Sequence, residues 1–474
     1  MMEWNRKKLQ KYIVLSTNKR IAYGHGMRGK RMREEKKLSL LEVFGLSIAV
    51  VAPTGAMAFN TAGTAAATGS AIPLAFILGG LGIFFVGISF VELAHHIPGE
   101  GSAYAYNSKA FGERIGFLSG WALTLTYIAF TVGCVSIFSN FADVFLKHFD
   151  ISIPIPVYIV IALVAGWWLS HKGIEFSTRF ALILELISVA ALAILALIII
   201  FSGGNNGNSV KPFTLSGTPL SGLGTGMVFA LLSFAGFEGA ATVAPQAKKP
   251  KKAITVAILG TVIFAVIFYV IVSYAQVIGF GTKNIAKLAN SSAPLNYLAT
   301  RYVGSYMAVF IDFASCTSFF ACYLGAMNAA AFMMKALADN GYLTSWFSVD
   351  RSLVATPKHA LDTVSVIALV AYIIFGLRVG PTNFYNYCGT LGTLSLLLVY
   401  VMVNIGAIKF FVHHREYFSF WKHLFSPIMG TCVLIYPIYS NLWPVPDFPM
   451  NLFPYIVVVW ILIGWVVSYK RRLN

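Results

Sequence analysis

Four carboxylic acids stand inside long apolar stretches of this chain: Glu92, Glu185, Glu238 and Asp312. A charged acid at the centre of a bilayer costs about 2.5–3.5 kcal/mol on insertion scales, so such residues mark functional positions. Glu238 lies in Phe229 to Pro245 (FALLSFAGFEGAATVAP), where Gly236, Glu238 and Gly239 interrupt an otherwise continuous apolar run. A break of this kind is expected to line a cavity and to serve as a gate or proton site. Glu185 lies about nine residues into its own apolar run, which places it about 14 Å deep at 1.5 Å per residue, near the midplane. The stretches around these acids hold no Lys or Arg at mid-depth to pair with them. The charged form is therefore disfavoured at Glu185, and a neutral, proton-exchanging acid is expected there; a permanently protonated acid bonded to a neighbouring Ser or Thr is the structural alternative. Asp312 lies nearer one end of its run. A second interruption occurs in GLSIAVVAPTGAMAFNTAG, where Pro53, Thr54 and Gly55 remove an amide donor and add a flexible residue.

The elements that carry these residues are membrane spans. The chain has 474 residues, of which 57% are hydrophobic and only 11% charged, with a mean hydropathy of +0.73. Soluble domains carry about 25% charged residues, so a soluble globular protein is excluded. Runs of about 20 apolar residues predict an all-α integral membrane protein with twelve transmembrane helices, at about 45–68, 73–95, 115–145, 154–170, 177–201, 222–247, 253–280, 303–334, 361–377, 384–408, 424–441 and 453–469. The two interruptions fall in the first and sixth spans, and this five-span separation is what a five-plus-five inverted repeat predicts. The repeats would cover about 45–201 and 222–408, with two extra helices at about 424–469.

With the N-terminus inside, 29 of the 35 Lys and Arg fall on the cytoplasmic side and 6 outside. Without the basic tail the ratio is still 17 to 6. The termini are expected in the cytoplasm and the protein in the cell membrane. The net charge of +17 then reflects topology and attraction to anionic membrane lipid rather than nucleic-acid binding. Residues 1–37 form a basic tail without the apolar segment of a signal peptide, and Met27 and Met32 are alternative starts to Met1. Gly24, Gly26 and Gly29 match a GxGxxG spacing but follow no strand, so the match carries nothing.

Cys134, Cys316, Cys322, Cys388 and Cys432 lie in apolar spans and read as small hydrophobes. The pairs His95–His96 and His413–His414 point about 100° apart on a helix and read as membrane-edge residues rather than metal ligands. No metal or cofactor is expected. A channel would need a continuous polar pore, and an enzyme would need converging nucleophile, base or metal groups; neither pattern is present.

Several stretches resemble the amino acid permeases of the amino acid, polyamine and organocation superfamily, from about Leu38 to the C-terminus. They are Pro98 to Trp121 (PGEGSAYAYNSKAFGERIGFLSGW), Ser233 to Glu238 (SFAGFE), the basic turn Gln246 to Lys252 (QAKKPKK) and Asn328 to Gly341 (NAAAFMMKALADNG), together with Glu92 at the end of the second span. The chain departs from the family's pattern in three places. Pro53, Thr54, Gly55, Ala56 and Met57 stand where a glycine-rich G-x-G is usual. Glu185 stands where several proton-coupled relatives have Lys, and Phe332 where many have Arg.

The resemblance implies a leucine-transporter-like fold in which broken helices 1 and 6 face each other near the bilayer middle. Amides of Thr54, Gly55 and Ala56 would then suit a carboxylate, and carbonyls around Ser233, Phe234 and Ala235 an ammonium. Met57, Tyr127, Thr131, Gly236 and Phe237 would shape the pocket. The implied function is secondary transport of neutral or cationic amino acids, with Glu185 and Glu238 in proton coupling or gating. Polyamine transport, amino acid exchange, sodium coupling through hydroxyls such as Ser315, Thr317 and Ser318, and a transporter-derived nutrient sensor are the alternatives.

Overall fold

The computed structural model describes residues 39–97, 103–172, 176–215, 217–238, 249–348 and 357–470. The tail at 1–37, Met27 and Met32, residues 98–102 of the loop motif, and 239–248 with the end of the sixth expected span lie outside these residues. Among the described residues the regular elements are helices, and helix occurs within each of the twelve expected ranges. Eight helical runs among the described residues are long and apolar enough to cross a membrane by length and composition, and Ile155–His171 and Leu220–Leu232 are apolar but shorter.

The first expected span is split into α1 (Leu40–Val51) and α2 (Thr61–Thr68), joined through a short turn at Pro53–Gly55 and a π-helical turn at Ala56–Asn60. α3 (Ile72–His96), α4 (Glu113–Lys147), α5 (Ile155–His171) and α6 (Phe176–Phe201) follow. Then come α7 (Leu220–Leu232), α8 (Thr261–Phe280), the short α9 (Pro294–Tyr302) and α10 (Ser305–Asp339). α11 (Lys358–Ala371), α12 (Pro381–His413), α13 (Ser426–Ser440) and α14 (Phe453–Lys470) complete the chain.

α4 is the axis of the packing, against α10 and α12. Small residues allow the close approach that helix association in lipid requires. A Cβ at Gly392 of α12 would stand 2.6 Å from the Phe130 ring of α4, and one at Gly166 of α5 would stand 2.2 Å from the Tyr323 ring of α10. α14 is fastened to α4 by a stacked pair, Trp121 and Trp460, with centroids 4.5 Å apart. Each indole N–H of that pair donates to the other residue's carbonyl at 2.8 Å. The outward side of α14 exposes Val458, Leu462 and Val466, an apolar strip suited to lipid.

α2 and α7, the second half of the first span and the start of the sixth, cross through glycines. A Cβ on Gly226 of α7 would lie 2.3 Å from Thr68 Cγ2, and one on Gly63 of α2 would lie 2.9 Å from the Phe229 ring. The two interruptions are thereby held side by side, which is what positions the site.

Candidate functional site

The first interruption falls one residue earlier than its sequence suggests. A proline disfavours the right-handed helical region in the residue before it, and Ala52 accordingly lies in the left-handed region at φ 49°. Pro53 then opens the next turn, where its fixed φ fits and its missing N–H is not needed. Starting a helix leaves the following amides without intrahelical acceptors. Each finds a partner within the chain. The Thr54 N–H donates to Glu185 Oε1 of α6 at 2.7 Å. The Gly55 N–H donates to Ser318 Oγ of α10 at 3.0 Å, and the Ala56 N–H to the Ala52 carbonyl at 3.3 Å. Glu185 is 6% exposed, so its carboxyl is held at the positive end of this turn and away from solvent.

Past this point the helix widens into the π turn Ala56–Asn60, a feature common at functional sites because it displaces backbone groups from their usual partners. The Met57 carbonyl accepts the Gln276 side-chain N–H from α8 at 2.9 Å, and the Gln276 carbonyl oxygen accepts the Thr61 hydroxyl at 2.7 Å.

At the second interruption, α7 ends in tight turns over Ser233–Gly236, with Phe234 and Ala235 donating their amides to Leu231 and Leu232. Gly236 has φ 95°, a conformation that glycine reaches without penalty. The Ser233 carbonyl accepts the Tyr269 hydroxyl of α8 at 2.7 Å, and the Phe234 carbonyl accepts the Phe237 amide at 3.2 Å. Glu238 Oε2 accepts the Tyr400 hydroxyl of α12 at 2.8 Å. Phe237 is 1% exposed and packs edge-on against Phe90 and Tyr400, each at 5.5 Å between centroids.

Asn60 joins the two interruptions. Its Nδ2 donates to Ser233 Oγ at 2.8 Å, and its Oδ1 accepts the Tyr385 hydroxyl of α12 at 2.6 Å. Tyr385 in turn packs on Phe59 and Phe319. Sequence reasoning does not single out Asn60, Gln276, Tyr269, Tyr385 or Tyr400. Asn60 and Gln276 were legible as amides inside apolar runs; the tyrosines were not, because tyrosine is ordinary in a membrane helix.

Of the sequence-derived site residues, Thr54, Gly55 and Glu185 meet at the first interruption, and Ser233 to Glu238 form the second. Met57 is fully buried. Thr131 is also buried and donates to the Tyr127 carbonyl on its own helix at 2.7 Å, while Tyr127 is half-buried beside the same core. Ser315 and Thr317 likewise donate to carbonyls of α10 itself. Ser318 is the hydroxyl of that trio that reaches the first span.

The other two acids belong elsewhere. Glu92 pairs with Lys422 at 3.0 Å and with His423 at 3.1 Å, where α3 meets the turn before α13. Asp312 lies 2.8 Å from His148 Nε2 at the end of α4 and accepts the Asn296 amide of α9. His95 reaches the Lys251 carbonyl, while His413 and His414 bond back to their own helix. The five cysteines are free.

The amino acid permease family matches residues 38–466 of the chain. The methylthioribose transporter of Bacillus subtilis is 25% identical, with 92% of this chain and 94% of that protein covered. The arginine/ornithine antiporter of Latilactobacillus sakei is 25% identical over 81% of this chain and 82% of its own. The low-affinity putrescine importer PlaP of Escherichia coli K12 is 24% identical over 84% and 87%.

Proposed function

Because this chain belongs to the amino acid permease family and is a multi-pass membrane transporter of that type, we propose that it carries amino acids or amines of neutral or positive charge, driven by protons through Glu185. The observation that supports this most directly is the hydrogen bond from the Thr54 amide to Glu185 Oε1 at 2.7 Å. It ties a buried titratable group to the point where the first helix is interrupted, and no basic side chain among the described residues pairs with that group. A proton on the carboxyl weakens its hold on the amide, since a neutral oxygen is a poorer acceptor than a charged one. The charge state of Glu185 and the geometry of the helix break thus become one variable, as coupling requires. Glu238 occupies the matching place at the other interruption, on the Tyr400 hydroxyl, and is assigned to gating.

The reading includes twelve spans in a five-plus-five inverted repeat, both termini in the cytoplasm, and residence in the cell membrane. Sodium is the less favoured ion, because the group tied to the first interruption is a titratable acid, Glu185. The relatives named above carry amines, amino acids and a thiosugar by their names, which supports a small organic solute.

Proteoliposomes without sodium on either side supply the test. An imposed pH gradient should drive accumulation of labelled solute by the native protein. Glu185→Gln should abolish that accumulation while sparing solute-for-solute exchange. Uptake indifferent to pH and dependent on added sodium would overturn the proton scheme, and binding without any accumulation would mark a sensor instead of a carrier.

A further inference from the structure

The charges around the two interruptions narrow the solute class, and this step rests on the transport reading above. The opening amides of a helix are where an anion is best received, because unpaired N–H groups and the helix dipole both favour negative charge. Here that place is filled from within. Glu185 Oε1 stands 2.7 Å from the Thr54 nitrogen, and Ser318 Oγ stands 3.0 Å from the Gly55 nitrogen. The next amide, of Ala56, is bonded to the Ala52 carbonyl. Space is short as well. A methyl group on Gly55 would come within 3.1 Å of Ser318 Oγ and 3.5 Å of the Phe319 ring.

A solute carboxylate arriving there would have to displace both side chains and then sit beside the Glu185 carboxyl. In the deprotonated stage of the coupling cycle, the two like charges would repel strongly in a low-dielectric interior; in the protonated stage, the carboxyl still fills the place at the Thr54 amide. Among the described residues, nothing nearby offsets this. The helices around the interruptions carry Lys and Arg only near their ends: Arg114 and Lys147 on α4, Arg179 on α6, Lys335 on α10 and Lys409 on α12. α7 and α8 carry none. The ionisable group at the second interruption is another acid, Glu238, whose neighbours Ala235 and Gly236 are partly exposed. The polar surroundings are thus two carboxyls, hydroxyls, backbone carbonyls and the side-chain amides of Asn60 and Gln276, whose N–H groups already donate to Ser233 Oγ and the Met57 carbonyl, a set that accepts an ammonium and offers a carboxylate no charged partner.

We infer that the transported solute is an organic amine that carries no carboxylate, with Glu185 supplying from the protein the carboxyl group that an amino acid would bring with it. Glu185 is then a resident occupant of the anion position and a specificity determinant, besides its part in coupling.

Ligand pairs that differ only in the carboxylate test this directly: putrescine against ornithine, agmatine against arginine, and 3-methylbutylamine against leucine. Each would be measured on the purified full-length protein by thermal shift and by uptake into proteoliposomes. The expected result is that, in at least one pair, the amine raises the melting temperature and is taken up, while its amino acid binds at least about tenfold more weakly. Glu185→Ala, which frees the Thr54 amide and removes the charge, should narrow that gap. Amino acids binding as tightly as their amines, or no amine binding at all, would overturn the inference. In the first of those cases, gradient-driven uptake of the amino acid would leave the transport reading standing. An amine that binds but is never accumulated would overturn transport and leave the ligand assignment intact.

Discussion

Glu238→Gln separates charge from shape. The amide keeps an oxygen that can accept the Tyr400 hydroxyl, now at 2.8 Å from Glu238, so folding should be retained. Transport should fall by about a hundredfold or more if a titratable group is needed there, the range for positioned acids and bases. Native uptake rate with native pH dependence, measured beside an unchanged melting temperature, would remove Glu238 from the gate. The glycines test the same interruptions sterically. Gly55→Val drives a branched side chain toward Ser318 Oγ, which lies only 3.1 Å from where a Cβ on Gly55 would stand, and so should strip the Gly55 amide of its partner. At Gly236 the difficulty is backbone conformation: φ 95° costs a β-branched residue at least about 1–2 kcal/mol. Both variants should lose ligand-induced thermal stabilisation, and its survival in both would place the binding site elsewhere.

At the scale of elements, the two interruptions have different physical causes. Proline ends α1 by acting on Ala52 and leaves the helix free to restart at once. α7 is ended by a run of tight turns and a glycine conformation at Gly236, with the Glu238 carboxyl two residues beyond. Their juxtaposition depends on α2 crossing α7 at close range. Gly226→Val is therefore expected to destabilise the purified protein by about 1–3 kcal/mol, an overpacking cost, because a Cβ there would lie 2.3 Å from Thr68 Cγ2. Thermal unfolding in detergent reads the effect, and an unchanged midpoint would mean that the crossing gives way easily. Asn60 ties the same elements by hydrogen bonds, so Asn60→Ala should lower transport more than it lowers the melting temperature. Equal proportional losses would reduce Asn60 to a packing role.

For the whole molecule, the bias of Lys and Arg to one side predicts the orientation. In a variant lacking the five native cysteines, a single cysteine at exposed Lys211 should react with a membrane-impermeant maleimide on intact cells, and one at exposed His413 should not. The reverse pattern would invert the topology. The outward apolar strip of α14 and its Trp460–Trp121 seam to α4 agree with a helix that faces lipid on one side and protein on the other.

The membrane class, the family, the two interruptions to within a residue or so, and the presence of Glu185 and Glu238 within apolar runs were legible in the amino-acid sequence. Each depends on local signals: runs of apolar residues long enough to span, a proline or glycine where backbone geometry must change, and a charge where burial is costly. What those groups bond to was not legible. Thr54 and Glu185 are 131 positions apart, Gly55 and Ser318 are 263 apart, and Asn60 reaches Ser233 across 173. Such pairings arise from how helices cross, and no spacing within one helix encodes them. Tertiary packing also decided that Ser318, and neither Ser315 nor Thr317, turns toward the first span, because a helical hydroxyl bonds to its own backbone unless a neighbouring chain offers a better partner. The same packing carried an acid from the fifth span to the amides at which a carboxylate was expected from outside.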